Sequence, residues 1–228
     1  MKIRWFLLVV ILVIIALAVA LFMKYRGRPS LPPITSDYNL TVMGDSLAEG
    51  LGASTPDNTF ANQLYLHIKA SRPKTTFNNL GKSSAQIDQV LSDQLPQVPS
   101  STPQLVVVVV GTNDLIQQSL LDDYQSSLDK LLTNLKKDGR TILLFNIPQF
   151  SLTPSVPTNL KPLTDIRTKQ FNLVIEEVIN KHSDVKLFDF YSLSGDYLKS
   201  NSNLLSDDKF HPNDTGYKKI AEEVYKSL

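Results

Sequence analysis

The chain contains no cysteine. Without cysteine there is no disulfide framework, no thiolate nucleophile and no Cys-ligated metal. No internal repeat or low-complexity segment is visible in the 228 residues. A chain of this length accommodates one membrane segment and one domain with a proper core, but hardly two domains. We therefore expect a single functional site.

The sequence also lacks a basic stripe of the kind that binds nucleic acid. Its net charge is +1, and the charge is unevenly distributed. No acidic residue lies before residue 30, whereas five basic ones do: Lys2, Arg4, Lys24, Arg26 and Arg28. The remainder of the chain is therefore mildly acidic. We expect no nucleic-acid partner.

One long hydrophobic run is present near the N-terminus. Every residue from Trp5 to Met23 is apolar, a run of 19. At about 1.5 Å per helical residue it spans about 28 Å, close to the roughly 30 Å hydrocarbon core of a bilayer. We predict a membrane anchor over residues 1–24, an extended, proline-containing linker over 25–38 and a folded domain over 39–228.

The alternative is a cleaved secretory signal, since residues 18–20 have the small-x-small pattern of a cleavage site. The apolar run exceeds the usual signal core of about 7 to 15 residues, which favours a retained anchor. Retention gives a single-pass protein of the cell membrane, and cleavage gives a secreted one. Basic residues flank the run on both sides, so charge does not fix its orientation.

In the remaining sequence, short apolar runs alternate with longer helical patterns, which is typical of a parallel sheet with helices on both faces. Strands are predicted near residues 39–43, 76–79, 105–110, 141–146 and 185–188. Helices are predicted over roughly 59–70, 86–94, 120–137, 163–181 and 213–226. The third strand is the clearest, because Leu105 to Val110 is entirely aliphatic, as expected of a strand covered on both faces.

Four short blocks carry side chains suited to acyl-transfer chemistry. They are Gly44-Asp45-Ser46-Leu47, Gly81, Gly111-Thr112-Asn113-Asp114 and Asp208-Lys209-Phe210-His211. The first three follow predicted strands one, two and three, and the fourth lies in the loop before the last helix. Ligand sites of open parallel sheets lie at the carboxyl ends of the strands, so the blocks are expected to converge.

Ser46 is the candidate nucleophile and His211 its base. A serine hydroxyl needs a base to take its proton, and an imidazole, which ordinarily titrates near pH 6.5, can accept that proton and return it. Asp208 precedes His211 by three residues, so a tight turn can bring its carboxylate to the imidazole. We interpret His67 and His182 as structural.

The ordered set of blocks resembles the GDSL-type or SGNH hydrolase family, named for the Ser, Gly, Asn and His of its four blocks. The resemblance runs from about Asn39 to the C-terminus. It implies a three-layer α/β/α fold similar to flavodoxin with a five-stranded parallel sheet. It also implies a serine esterase that forms an acyl-enzyme on Ser46 and needs no metal or cofactor. The family spacing of Asp, two residues, His selects Asp208 rather than Asp207.

The resemblance further implies an oxyanion hole made by the backbone N–H groups of Ser46 and Gly81 and the side-chain amide of Asn113. A turn at Gly81 and a helix cap at Asn113 are the simpler structural alternatives. We interpret Asp45 and Asp114 as loop-bracing residues. The resemblance also favours a domain on the outer side of the cytoplasmic membrane.

The physiological substrate stays open. The blocks handle the ester carbonyl and not the rest of the molecule, so a small-molecule, lipid or acetylated-glycan ester is equally compatible with them. The segment from Pro148 to Pro162 follows the fourth strand and is long for a connection. It is interpreted either as a loop or lid that lines the substrate site or as a disordered insertion.

Two other classes of function are compatible with the same fold. In a metal-dependent phosphoesterase-like enzyme, Asp45, Asn113, Asp208 and His211 would ligate a divalent ion, which leaves Ser46 without a clear role. In a non-catalytic domain that binds cell-wall glycan, the pocket would be kept without turnover. A binder has no need of a base aligned with a nucleophile.

Overall fold

A computed structural model describes residues 38–101, 104–200 and 202–228. The predicted anchor over residues 1–24 lies outside this part of the chain, as does the predicted linker apart from its last residue. Over the described ranges, no helix is both long enough and apolar enough to cross a membrane.

Five parallel strands form one sheet in the order β2-β1-β3-β4-β5. They are β1 (Asn39–Gly44), β2 (Thr76–Asn79), β3 (Gln104–Val109), β4 (Arg140–Phe145) and β5 (Val185–Phe188). All five predicted strands are confirmed, with boundaries that differ by at most one residue. Every residue of the central strand β3 is buried, in agreement with its aliphatic sequence.

Eight α-helices are found in the described part of the chain. They are α1 (Ser46–Glu49), α2 (Phe60–Ser71), α3 (Ile87–Gln89), α4 (Thr112–Ile116), α5 (Leu121–Leu135), α6 (Lys161–Ile179), α7 (Phe190–Ser200) and α8 (Asp214–Ser227). The predicted second helix is only partly α-helical, because it continues beyond α3 as a π-helical turn, Val90–Gln94, and a 3-10 turn, Leu95–Gln97.

Helices cover the sheet on both faces, which confirms the three-layer arrangement. Side chains of successive β3 residues point to opposite faces. Val106 and Val108 join a core with α5 and α6, whereas Leu105 and Val107 join a second core with α2 and α8.

Helix α7 was not predicted. Its sequence contains Gly195 and three serines, which weaken a helical signal. In the fold Gly195 packs closely against Gln149, since a Cβ at Gly195 would lie 2.4 Å from Oε1 of that side chain. Tertiary contact therefore overrides local propensity in this helix.

The segment after β4 packs against the domain, which contradicts its interpretation as a disordered insertion. It forms a 3-10 turn, Phe150–Leu152, in which Phe150 is buried. The ring of Phe150 meets that of Phe210 edge-on, with centroids 5.6 Å apart. This contact brings the segment next to the fourth sequence block.

Candidate active site

The turn between β1 and α1 fixes the position of Ser46. Gly44 has φ +136°, and a Cβ there would lie 1.7 Å from the carbonyl oxygen of Val109, so only glycine fits. The side chain of Gln94 accepts a hydrogen bond from the Gly44 N–H at 2.7 Å and donates one to its carbonyl at 2.8 Å. Asp45 caps α1 by accepting the Leu47 N–H at 3.0 Å. Gln94 thus fixes the end of β1, and Asp45 fixes the first turn of α1.

Ser46, His211 and Asp208 come together in series. Oγ of Ser46 lies 2.9 Å from Nε2 of His211. Nδ1 of the same imidazole lies 2.6 Å from Oδ2 of Asp208. Residues separated by 165 positions in the sequence therefore form one continuous hydrogen-bonded chain.

The carboxylate of Asp208 is held by more than the imidazole. Its Oδ1 accepts hydrogen bonds from the Ser206 hydroxyl at 2.7 Å and from the backbone N–H groups of Phe210 at 2.8 Å and His211 at 2.9 Å. Burial by itself raises the pKa of Asp208, but the hydrogen bonds from His211, Phe210 and Ser206 outweigh it and hold that pKa well below its usual range. Asp208 is therefore ionised at neutral pH.

The segment after α1 packs against the segment that contains His211. Gly52 has φ +97°, and a Cβ at this position would lie 2.6 Å from the carbonyl oxygen of Pro212 and 3.0 Å from Cβ of His211. The buried Tyr217 of α8 donates a hydrogen bond to the carbonyl of Leu51 at 2.6 Å. These contacts hold the nucleophile segment and the histidine segment against each other.

Two of the three predicted oxyanion donors, Ser46 and Asn113, lie in the first turns of helices. Ser46 begins α1 and Asn113 lies in the first turn of α4. The Asn113 amide donates one hydrogen bond to the carbonyl of Ala85 at 3.1 Å, which leaves its second N–H available.

Gly81 packs against Glu49 at the C-terminal end of α1, whereas Ser46 lies at its N-terminal end. A Cβ there would lie 2.3 Å from the backbone nitrogen of Glu49, so the close approach requires glycine. The Gly81 N–H donates to Oδ1 of Asn79 at 3.0 Å. Its role as an oxyanion donor stays a prediction, and it requires that this hydrogen bond be given up.

Ser84 is a further candidate donor that the sequence did not indicate. Its φ is +65°, in the left-handed region that non-glycine residues seldom adopt. It occupies the third position of a turn closed by a hydrogen bond from the Ala85 N–H to the carbonyl of Lys82 at 3.1 Å. Within the described part of the chain, no acceptor receives a hydrogen bond from the Ser84 N–H. Strained backbone concentrates at functional sites, and the Asn113 amide is bonded to the residue after Ser84, so the Ser84 N–H is a candidate donor.

Asp45 and Asp114 brace loops beneath the site, as predicted. Asp114 accepts the N–H of Ile87 with both oxygens at 3.2 Å and so ties α3 to α4. Burial raises the pKa of Asp45 to about 7, and the nearby charge of Asp114 adds to the rise. Burial likewise raises the pKa of Asp114 to about 6.

The other two histidines make contacts elsewhere. His67 stacks on Tyr225 with ring centroids 5.3 Å apart, and the buried His182 lies 2.8 Å from Asp129. Nor do the described residues include a group of three or more His, Cys, Asp or Glu side chains that could hold a metal ion. The ligand set of the phosphoesterase alternative therefore does not assemble in this part of the chain.

A pocket opens beside Ser46 and His211. It measures about 690 Å³ when the space open to solvent at its mouth is included. Side chains from α1, α7, the segment after β4 and the segment before α8 line it. Phe150 and Phe210 both line it, so the segment after β4 forms part of the wall of this pocket.

A hydroxyl, an imidazole and a carboxylate linked in this order at the carboxyl edge of a parallel sheet match the geometry found in serine hydrolases. A model of the GDSL-like lipase/acylhydrolase family matches residues 42–219. The chain belongs to this family and is a carboxylic ester hydrolase.

One relative matches the sequence, and solved structures share the fold. YpmR of Bacillus subtilis (strain 168), itself uncharacterized, is 23% identical, and the match covers 83% of this chain and 80% of YpmR. A Trp-to-Ile variant of Axe2, an acetyl xylan esterase from Geobacillus stearothermophilus, superposes with a TM-score of 0.67 at 18% identity over 83% of this chain and 93% of that chain. TesA superposes with a TM-score of 0.67 at 21% identity over 83% of this chain and 97% of TesA.

Proposed function

We propose that this protein is a serine esterase whose nucleophile is Ser46. As Oγ of Ser46 attacks the ester carbonyl carbon, Nε2 of His211 accepts the hydroxyl proton, and the carbonyl oxygen takes up the electron pair of the C=O π bond. When the tetrahedral intermediate collapses, the C–O bond to the alcohol breaks, and His211 returns the proton to the departing alcohol. The acyl group then remains on Ser46.

Hydrolysis of the acyl-enzyme repeats these steps with water. His211 accepts a proton from the water as its oxygen attacks the acyl carbon. Collapse of the second intermediate releases the acid and returns the proton to Oγ of Ser46. Asp208 holds the imidazole in the tautomer with a proton on Nδ1 and stabilises the imidazolium that forms in each half-reaction.

The observation that carries this proposal is the 2.9 Å contact between Oγ of Ser46 and Nε2 of His211. A base in hydrogen-bonding contact with a hydroxyl, and itself oriented by an ionised carboxylate, is the arrangement that activates a serine. A domain that only binds glycan has no use for it. This contact therefore favours turnover over binding alone.

The negative charge that develops on the carbonyl oxygen needs fixed donors. We assign this role to the Ser46 N–H and the free N–H of the Asn113 amide. The Ser84 N–H is a better third donor than that of Gly81, because it is not engaged by another described residue, whereas the Gly81 N–H is bonded to Asn79.

The test is the rate of hydrolysis of 4-nitrophenyl acetate by Ser46→Ala. Loss of the nucleophile is expected to lower kcat by at least about 10³-fold. Ser92→Ala, at an exposed serine bonded to Asp93, is the matched control and keeps the wild-type rate. Circular dichroism shows whether each variant is folded. Wild-type turnover by folded Ser46→Ala would refute the assignment.

We also infer that the apolar run from Trp5 to Met23 anchors the enzyme in the cell membrane with the domain on its outer side. The support is the length of the run and the family resemblance. After alkaline carbonate extraction, the full chain is expected in the membrane pellet, and a chain without residues 1–24 in the supernatant. Extraction of the full chain into the supernatant contradicts the anchor.

A further inference from the structure

The pocket beside Ser46 has a composition that selects among ester substrates. Resting on the esterase activity proposed above, we propose that it binds the acyl chain of the substrate and that the enzyme prefers acyl groups several carbons long over acetyl. The sequence motifs leave this choice open, and the walls of the pocket decide it.

The walls are almost entirely hydrocarbon. Phe150 and Phe210 form one aromatic pair, with centroids 5.6 Å apart, between the segment after β4 and the segment that carries His211. Phe190 and Leu198 contribute from α7, and Leu47 directly follows the nucleophile. An apolar chain that starts at Ser46 therefore meets apolar side chains from α1, α7, the segment after β4 and the segment that carries His211.

Two hydroxyl groups in the lining, those of Ser194 and Thr153, are hydrogen-bonded within the protein. The Ser194 hydroxyl donates to the carbonyl of Tyr191 at 3.0 Å and accepts the N–H of Gln149 at 2.8 Å. The Thr153 hydroxyl donates to the carbonyl of Phe150 at 2.8 Å. Among the described residues that line the pocket, the only Asp, Glu, Lys, Arg or His side chains are those of Asp45 and His211.

The side chains of Asp45 and His211 also have hydrogen-bond partners in the protein, since Asp45 caps α1 and His211 bonds to Ser46. A sugar unit carries several hydroxyls that need partners once they leave water, and unpaired polar groups are costly to bury. The lining offers few such partners. A hydrocarbon chain needs none, and each methylene moved from water into apolar surroundings strengthens binding about fourfold.

The acyl part of the ester fits the pocket better than the alcohol part. The acyl carbon is bonded to Oγ of Ser46 through both half-reactions, whereas the alcohol departs after the first. Ser46 and Leu47 both line the pocket. An acyl chain bonded to Oγ of Ser46 therefore starts at the wall of the pocket.

Two matched ester series test the assignment on the purified full chain in detergent. In the first, the leaving group is always 4-nitrophenol and the acyl chain grows from acetate to octanoate. The value of kcat/KM is expected to rise at least about tenfold. In the second, acetate esters carry alcohols of increasing length, and kcat/KM is expected to change less than about threefold. A preference that follows the alcohol, or a maximum at acetate, overturns the proposal.

A pocket-filling variant ties the preference to the walls. Leu198→Trp places a larger side chain on α7 inside the pocket and is expected to lower the octanoate-to-acetate ratio of kcat/KM at least tenfold. Leu173→Trp is the control, because Leu173 is 58% exposed on α6 and does not line the pocket. An unchanged ratio in Leu198→Trp contradicts the proposal.

Binding without turnover separates this proposal from the esterase mechanism. Octanoate is titrated into Ser46→Ala by calorimetry, with Leu198→Trp introduced into the same background for comparison. Binding that is lost with Leu198→Trp supports the acyl pocket even if no ester is hydrolysed, in which case the mechanism alone fails. Ester hydrolysis together with no octanoate binding and a preference for acetate overturns the acyl pocket and leaves the mechanism intact.

Discussion

Asp208 and His211 are joined twice. Oδ2 of the carboxylate lies 2.6 Å from Nδ1 of the imidazole, and Oδ1 accepts the backbone N–H of the same histidine at 2.9 Å. The carboxylate cannot rotate away from the ring without breaking its hydrogen bonds to the backbone. The orientation of the imidazole is therefore fixed by a turn of four residues.

This relationship predicts different effects for two adjacent acids. Asp208→Asn keeps the size of the side chain but removes the charge that stabilises the imidazolium and can favour the wrong tautomer. We expect kcat for 4-nitrophenyl acetate to fall about 10³- to 10⁴-fold, as in other serine hydrolases with this change. Steady-state kinetics measure the loss.

Asp207→Asn is the matched control, because Asp207 is exposed to solvent one position earlier. Its kcat is expected to stay within about twofold of wild type. If Asp207→Asn lost activity and Asp208→Asn kept it, the choice between the two acids would be reversed.

The left-handed conformation of Ser84 leads to a second prediction. Ser84→Gly removes the side-chain clash of the left-handed region, so kcat is kept and the free energy of unfolding is expected to rise by a few tenths to about 1 kcal/mol. Ser84→Val favours extended backbone, which turns the N–H away from the reacting oxygen. We expect a decrease in kcat of at least about tenfold with KM little changed.

Gln118→Val controls for backbone strain alone. Gln118 is an exposed residue with φ +61° and lies outside the assigned machinery. Urea denaturation is expected to show a similar loss of stability in both valine variants, whereas kcat falls only in Ser84→Val. Equal kcat values for the two variants would exclude Ser84 as a donor.

The buried Asp45 predicts a pH dependence of stability. Its pKa is about 7 in the folded state and about 4 in an unfolded chain. Between these values the folded state holds a proton that the unfolded state has lost, so the free energy of unfolding falls as pH rises from about 4 to 7. Asp114, with a pKa raised to about 6, acts in the same direction. Asp208 does not interfere, since its lowered pKa affects stability only below about pH 4.

Asp45→Asn removes this titration while keeping a residue that caps helices equally well. Between pH 5 and pH 8, the Tm of the wild type is expected to fall at least about 3 °C more than that of the variant, which corresponds to about 1 kcal/mol. Asp57→Asn, at an exposed acid, keeps the wild-type dependence. Parallel pH curves for wild type and Asp45→Asn would show that burial of Asp45 is not the cause.

The elements that the sequence predicts well are those with a strong local pattern. The aliphatic run of β3 is visible without tertiary information. Helix α7 is not, because Gly195 and the serines of its sequence give a weak helical signal. The turn at Ser84 was also missed, since a left-handed serine leaves no mark in the sequence.

The amino-acid sequence alone predicts a parallel sheet and the candidate site residues Ser46, His211, Asp208 and Asn113, because strand patterns and short motifs are local features. Tertiary structure alone decided the distances between these groups, the engagement of the Gly81 N–H by Asn79, and the hydrocarbon lining of the pocket. The physical reason is that the lining comes from several parts of the chain, between residues 45 and 220, that only the fold brings together. Which side chains face a common space is set by packing and not by order.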